Sequence, residues 1–169
     1  MKKSSIPNIF TFANLSFGLL SILMTFHDNY KFACIFILIA GLIDRYDGTI
    51  ARYLKVSSDL GKELDSLADL VSFGVAPSVL VYTLYNFINL GTIGYALVLI
   101  FPICGAYRLA RYNACNFEGV FMGIPITVAG SFMALFSLLT LKNTSKALPI
   151  IFIISLSYLM ISKVKFKKI

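Results

Sequence analysis

Six apolar segments, each about as long as a membrane-spanning helix, follow one another along this chain. A helix needs roughly 20 predominantly apolar residues to cross the hydrocarbon layer of a membrane. The predicted spans are Pro7 to Phe26, Lys31 to Arg52, Lys62 to Tyr85, Thr92 to Tyr112, Phe121 to Leu141 and Ser145 to Ser162. Of the 169 residues, 58% are hydrophobic, so little remains for a soluble domain. The sequence therefore predicts an all-α integral membrane protein, a single domain over residues 1–169 built as a six-helix bundle.

The basic residues are distributed unequally between the two ends of these spans. If the N-terminus lies in the cytoplasm, twelve of the 15 Lys and Arg residues are cytoplasmic, and Lys31, Lys142 and Lys146 are outside. Cytoplasmic flanks normally carry this excess, so we expect a multi-pass protein of the cell membrane with both termini in the cytoplasm. The net charge of +7 fits attraction to anionic lipid headgroups. Nucleic-acid binding is not expected, because the chain has no basic soluble domain.

Four Asp residues, half of all the acids in the chain, lie where the second predicted span meets the third. Asp44 and Asp47 are three residues apart and Asp65 and Asp69 four apart, so each pair lies on one helix face. An Asp at the centre of a span costs roughly 2.5–3.5 kcal/mol on insertion scales, so four of them need an interaction that offsets this cost. Antiparallel packing brings the pairs together as oxygen ligands for Mg²⁺, Mn²⁺ or Ca²⁺. The site is expected near the cytoplasmic face.

Small residues and a guanidinium share these two helix faces. Gly48 and Ala51 on the second helix, and Gly61 on the third, leave room for a flat base or a pyrophosphate to approach the backbone. Arg52 presents two parallel donors that match a phosphate group. Together with the carboxylates, this composition indicates a site for a nucleotide diphosphate and its cations.

The order of these residues resembles that of a known family. D-x-x-D-G-x-x-A-R, then eight residues, then G-x-x-x-D-x-x-x-D is the motif of the CDP-alcohol phosphotransferases, and every fixed position is present between Asp44 and Asp69. The runs DSLADLVSFGVAP, RLARYN and MGIPITVAG resemble the phosphatidylserine synthase branch, which includes archaeal ether-lipid relatives. The opening IPNIFTFAN resembles the first helix of the family, so the similarity extends over most of the chain.

The resemblance implies a role for each matched residue. Two divalent cations, Mg²⁺ or Mn²⁺, with Ca²⁺ as a non-productive occupant, would be held by Asp44, Asp47, Asp65 and Asp69. Asp69 would also be the general base. The residues expected to bind the CDP-lipid are Asn8, Thr11, Asp47, Gly48, Ala51, Arg52 and Gly61. The resemblance also implies a homodimer, and a reaction in which a phosphatidyl-type group passes from CDP-diacylglycerol or CDP-archaeol to L-serine with release of CMP.

Arg108 and Arg111 are the candidates for binding the acceptor, because an Arg fork matches a planar carboxylate such as that of serine. They stand three residues apart in the fourth predicted helix, on neighbouring parts of one face. The serine ammonium needs a hydrogen-bond acceptor, for which Asn113, a backbone carbonyl or an Asp of the cluster are candidates. Alternatively, the two Arg side chains extend to the membrane interface and have no contact with substrate.

Three other interpretations stay open at the level of sequence. The same reaction with glycerol phosphate or inositol phosphate as acceptor would call for more cationic residues than this chain offers. A divalent-cation carrier would use the Asp cluster as its pathway, but the outer half of the bundle has no polar relay. A purely structural ion-pair network would neutralise the Asp residues with Arg45, Arg52 and Lys62.

Overall fold

The structure is a computed structural model that describes residues 5–54, 59–114, 120–142, 145–162 and 165–167. Within these ranges it describes the side chains of residues 8–46, 49, 59–114, 123–142 and 145–162. The described α-helices are α1 (Ser5–Phe26), α2 (Tyr30–Leu54), α3 (Asp59–Asp69), α4 (Ala76–Leu84), α5 (Thr92–Ala114), α6 (Ile126–Leu139) and α7 (Ala147–Ile161). A π-helical segment, Leu70–Val75, joins α3 to α4, and a short 3₁₀-helix, Phe87–Leu90, precedes α5.

The first four predicted spans coincide, to within a few residues, with helical stretches of the structure, and the third consists of α3, the π-helical segment and α4 in one continuous rod. The fifth predicted span begins too early. Val120–Met122 is a short strand, β1, paired antiparallel with Lys165–Lys167, β2. Gly123 then has a φ of 75° and Pro125 stands immediately before α6. A positive φ and a proline end one element and start the next, so the apolar run from Phe121 could not continue as a helix.

Three helical units are long and apolar enough to cross a membrane, judged by length and composition over the described residues. They are Asn8–Phe26, Asp59–Leu84 and Thr92–Ala114. The helices α6 and α7 are equally apolar but shorter, with 14 and 15 residues. These lengths and compositions indicate a membrane protein.

Among its described residues, helix α1 buries four polar side chains and exposes six large apolar ones. Thr11, Asn14, Ser21 and Thr25 are buried, and their spacing of three, four and seven residues places them on one face. The exposed apolar residues of this helix are Ile9, Phe12, Leu19, Leu20, Leu23 and Phe26. In water this distribution would be unfavourable, but in a bilayer the outer face meets lipid chains and the inner face can form hydrogen bonds within the bundle.

The rod that contains α3 and α4 lies at the centre of the bundle. Helices α1, α5 and α6 all pack against its π-helical segment, and Phe73 in that segment is completely buried. Glycines permit these close approaches: a Cβ on Gly18 of α1 would lie 2.3 Å from Ser72 Oγ, and one on Gly130 of α6 would lie 2.4 Å from the carbonyl oxygen of Phe73. The segment that directly follows the carboxylates of α3 is thereby packed against three neighbouring helices.

Candidate active site

Three of the four predicted carboxylates, one from α2 and two from α3, come together in the structure. Asp44, Asp65 and Asp69 each place a carboxylate oxygen within 4.8 Å of the others. Asp44 and Asp65 are half-buried, and Asp69 is buried. Carboxylates at this separation repel one another, and burial removes the water that would screen them. A cation among them relieves this repulsion, and a set of oxygen ligands suits hard divalent ions, so the three residues can hold a metal ion.

The remaining predicted residues of α2 lie on the same helix but beyond the described side chains. Asp47, Gly48, Ala51 and Arg52 fall within Tyr30–Leu54, and the structure does not describe how their side chains are placed. Their assignment as a metal ligand and as contacts of the CDP-lipid therefore stays a prediction. Gly61 is described, half-buried, one turn before Asp65 on α3.

On α1, the two predicted contacts of the CDP-lipid are one turn apart. Asn8 is half-buried and Thr11 is buried, with 4% of its surface exposed. Helix α1 packs along both α2 and α3, so its inner face adjoins the helices that carry the carboxylates. The assignment of Asn8 and Thr11 as contacts of the CDP-lipid stays a prediction.

Asn14, which is absent from the residues predicted from sequence, forms a direct contact with the cluster. Its Nδ2 donates a hydrogen bond of 3.0 Å to Oδ1 of Asp69, and 1% of the residue is exposed. Ser72 Oγ donates to the backbone carbonyl of Asn14 at 3.0 Å, which fixes this part of α1 on the rod. The sequence does contain a signal for Asn14. This residue follows Thr11 by three residues and precedes Gly18 by four, so the three residues share one face of an otherwise apolar helix.

Arg108 is a buried cation on α5. Only 7% of the residue is exposed, and the guanidinium interacts electrostatically with Asp69. Its Cζ lies 5.8 Å from the centre of the Tyr112 ring, a distance at which the cation is attracted to the aromatic face. Its Nε has no hydrogen-bond partner among the described residues.

The other two predicted acceptor residues have different surroundings. Arg111 is half-buried, and its Nη1 donates to the carbonyl oxygen of Ile161 at the end of α7, at 3.3 Å. Asn113 is exposed, and its Nδ2 donates to Ser66 Oγ at 3.0 Å and to Glu63 Oε1 at 3.4 Å. Of the three residues predicted from sequence, Arg108 is the buried one, and their role in binding the acceptor stays a prediction.

The ion-pair interpretation of the cluster receives little support from Lys62 and Arg45. Lys62 Nζ lies 3.8 Å from Asp59 Oδ1, and both side chains are largely exposed at the start of α3. Arg45 is exposed as well. Exposed pairs of this kind contribute at most about 1 kcal/mol. Lys62 is therefore paired with an acid outside the cluster.

A cavity of about 500 Å³ begins at Asp44 and lies between α2 and α6. On the α2 side, the lining changes from charged to apolar, from Asp44 and Arg45 through Gly41 to Leu38. Its α6 side is formed by Thr127, Val128, Ser131, Phe132 and Leu135. The cavity therefore joins the carboxylate cluster to an apolar groove on the flank of the bundle.

Comparison with known proteins relates this geometry to a family. Residues 4–162 match the CDP-alcohol phosphatidyltransferase family. A CDP-diacylglycerol--serine O-phosphatidyltransferase of Bacillus subtilis is 40% identical over 95% of this chain and 89% of the relative. A protein of the same name from Helicobacter pylori is 37% identical, over 96% of this chain and 73% of the relative. An archaetidylserine synthase of Methanothermobacter thermautotrophicus is 36% identical, over 98% and 70%. The chain belongs to the CDP-alcohol phosphatidyltransferase family.

Proposed function

We propose that this protein transfers a phosphatidyl-type group from a CDP-activated lipid to the hydroxyl of L-serine and releases CMP. The donor is CDP-diacylglycerol or CDP-archaeol, and the product is phosphatidylserine or its ether-lipid equivalent. The observation that carries the proposal is the cluster of three carboxylates together with the buried Arg108, which interacts electrostatically with one of them, Asp69. A metal-ligating cluster suits the pyrophosphate of the donor, and the neighbouring guanidinium suits an acceptor with a carboxylate. The names of the similar enzymes agree with this choice.

For the cations, we propose that two Mg²⁺ or Mn²⁺ ions are held by Asp44, Asp47, Asp65 and Asp69. When bound, they neutralise charge on the donor pyrophosphate. Asp69 accepts the proton of the serine hydroxyl as the oxygen attacks the phosphorus that carries the lipid, and the bond from this phosphorus to the CMP oxygen breaks. Oδ1 of Asp69 accepts a hydrogen bond from Asn14, which orients the carboxylate.

For the donor, we propose that the CDP group lies against α2 and the start of α3 and that a lipid chain enters the α2–α6 cavity. The residues proposed to contact CDP are Asn8, Thr11, Asp47, Gly48, Ala51, Arg52 and Gly61. The cavity supports this placement, because it starts at Asp44 and turns apolar towards Leu38 and Leu135. A lipid with a charged headgroup changes in the same way, from charged at the headgroup to apolar along its chains.

In the membrane, we propose a single domain of six spanning helices with both termini and the site on the cytoplasmic side, in the cell membrane. The distribution of Lys and Arg supports this orientation. A homodimer is proposed from the family resemblance. We propose that Arg111 and Asn113 lie further from the reacting atoms than Arg108, where the acceptor enters the site. They do not contact the serine carboxylate.

The test is release of CMP from CDP-diacylglycerol and from CDP-archaeol by the purified protein in mixed micelles, with each candidate acceptor in turn. We expect release with L-serine and Mg²⁺ or Mn²⁺, none after chelation, and a loss of at least about a hundredfold in Asp69→Asn, because the general base is missing. The chelated protein should keep its helical circular dichroism spectrum.

Different outcomes distinguish the alternatives. Release with glycerol phosphate or inositol phosphate but not with serine would change the acceptor. Full activity of the chelated protein or of Asp69→Asn would contradict the proposed mechanism. Flux of divalent cations into liposomes without CMP release would support a carrier.

A further inference from the structure

Two buried polar atoms, on residues that interact with Asp69, have no hydrogen-bond partner among the described residues. They are Oδ1 of Asn14, on α1, and Nε of Arg108, on α5. A buried polar group without a partner costs about 1–3 kcal/mol. Three serine hydroxyls elsewhere in the bundle are also unpaired among the described residues, but a hydroxyl on a helix can turn to a carbonyl of its own helix. An amide oxygen has no such option, so Asn14 Oδ1 needs an external donor.

The orientation of the Asn14 amide follows from its contact with Asp69. An ionised carboxylate can only accept hydrogen bonds, so the NH₂ end of the amide must point to Asp69. This is the end found there, at 3.0 Å. The backbone of Asn14 is fixed by the hydrogen bond from Ser72, and the close packing of Gly18 on Ser72 prevents α1 from sliding along the rod. The amide oxygen is therefore held in a constant position relative to Asp69.

The two unpaired atoms have complementary chemistry. One is a neutral acceptor and the other belongs to a cation, and both are on residues that interact with the carboxylate proposed to take a hydroxyl proton. An α-amino acid with a hydroxyl side chain presents the matching groups: an ammonium that donates, a carboxylate that accepts, and the hydroxyl itself. A neutral amide suits the ammonium position because a further carboxylate would add to the repulsion among Asp44, Asp65 and Asp69.

We infer that Asn14 selects the acceptor by its ammonium group: Oδ1 of Asn14 accepts a hydrogen bond from the ammonium of serine, while Arg108 binds the carboxylate and Asp69 receives the hydroxyl proton. This inference rests on the proposed function. It adds a substrate contact on α1, a helix that the family resemblance connects only with the CDP-lipid. It also gives each end of the Asn14 side chain a separate task, since Nδ2 orients Asp69 and Oδ1 binds the acceptor.

The test compares two acceptors that differ only at the ammonium. 3-Hydroxypropanoate has the carboxylate and the hydroxyl of serine and carries hydrogen where serine carries the ammonium. The kcat/KM for each is measured by CMP release with the full-length protein in mixed micelles. We expect the unmodified protein to prefer serine by about 10- to 100-fold, the range for one hydrogen bond to a charged group. Equal use of both acceptors would overturn the inference.

Two substitutions separate the two ends of the side chain. Asn14→Leu removes the amide oxygen and the NH₂ group, so kcat/KM should fall for both acceptors. The ratio of kcat/KM for serine to that for 3-hydroxypropanoate should fall towards one. Asn14→Asp keeps an oxygen for the ammonium but loses the donor to Asp69, so kcat should fall for both acceptors while the preference persists or grows. Ser21→Ala, at another buried polar position of α1, is the matched control and should leave the preference unchanged.

The outcomes distinguish failure of the inference from failure of the proposed function. If Asn14→Leu lowers kcat/KM by the same factor for both acceptors, Asn14 only orients Asp69 and the ammonium contact is wrong. If Asn14→Leu does not fold, the inference is tested by Asn14→Asp alone. Loss of the preference for serine over 3-hydroxypropanoate in Asn14→Asp would then overturn the inference. If the unmodified protein releases no CMP with serine, the proposed function itself is wrong.

Discussion

Arg108 illustrates what the sequence leaves undecided at the scale of single residues. Two Arg residues three positions apart are equivalent candidates by spacing, because both lie on neighbouring parts of one helix face. The structure separates them by their neighbours. Arg108 is buried and interacts with Asp69, whereas Arg111 donates to the end of α7. Such a difference depends on which helix packs against α5 at each position, and no local pattern encodes that.

We predict that Arg108→Lys raises the apparent KM for serine by about tenfold or more and leaves the KM for the CDP-lipid nearly unchanged. Lysine keeps the charge but loses the two parallel donors that match a carboxylate. Arg111→Lys is the matched control and should alter the serine KM little. Initial rates of CMP release over a serine titration provide the measurement. A serine KM that does not respond to Arg108→Lys would exclude this residue as the carboxylate contact.

The Asp cluster and Asn14 differ in how well their roles can be predicted from sequence. Asp44, Asp65 and Asp69 belong to two pairs at helical spacing, and four acids in an apolar chain need a common explanation, so their convergence follows from the sequence alone. Asn14 is a single amide in an apolar helix. Its importance lies in the partner 55 residues away, which a one-dimensional pattern does not reveal.

At the scale of elements, α1 and the π-helical segment fit together as a unit. π-Helical turns occur mostly as short insertions in α-helices, often at functional sites, and this one begins directly after Asp69. Its surroundings are α1, α5 and α6, and the glycines Gly18 and Gly130 let two of these helices approach it closely. The sequence predicts the span but not this turn, because the turn depends on contacts with three helices at once.

We predict that Gly18→Ala lowers both the melting temperature and kcat. The added Cβ would lie 2.3 Å from Ser72 Oγ and 2.8 Å from Ser72 Cα, so α1 must move away from the rod. Overpacking of this kind costs about 1–3 kcal/mol, and the movement lengthens the bond from Asn14 to Asp69. Circular dichroism melting in micelles and CMP release measure the two effects. Leu19→Ala, at an exposed position of the same helix, is the control, and equal behaviour of both variants would contradict the prediction.

At the scale of the whole molecule, the proposed acceptor site has one contact from each of three helices. Asn14 comes from α1, Asp69 from α3 and Arg108 from α5, so the contacts exist only when the bundle is assembled. Burial of apolar surface contributes little to such assembly in lipid, where packing and polar contacts matter more. The hydrogen bonds of Asn14 to Asp69 and of Ser72 to Asn14 therefore hold the bundle together as well as orienting the site.

Three fixed contacts around one carbon atom also make the site chiral. The ammonium, the carboxylate and the hydroxymethyl group are the three heavy substituents of the serine Cα, and each has its own helix. The mirror-image amino acid can place two of them correctly, and the third then points away from its partner.

We predict that D-serine has a kcat/KM at least about tenfold lower than L-serine, the cost of one charged hydrogen bond. Asn14→Leu leaves two contacts, so the kcat/KM values for D- and L-serine should become more similar in this variant. Equal rates with D- and L-serine in the unmodified protein would show that fewer than three helices bind the acceptor; a large difference would mean that the order of the helices around the site determines the handedness of its substrate.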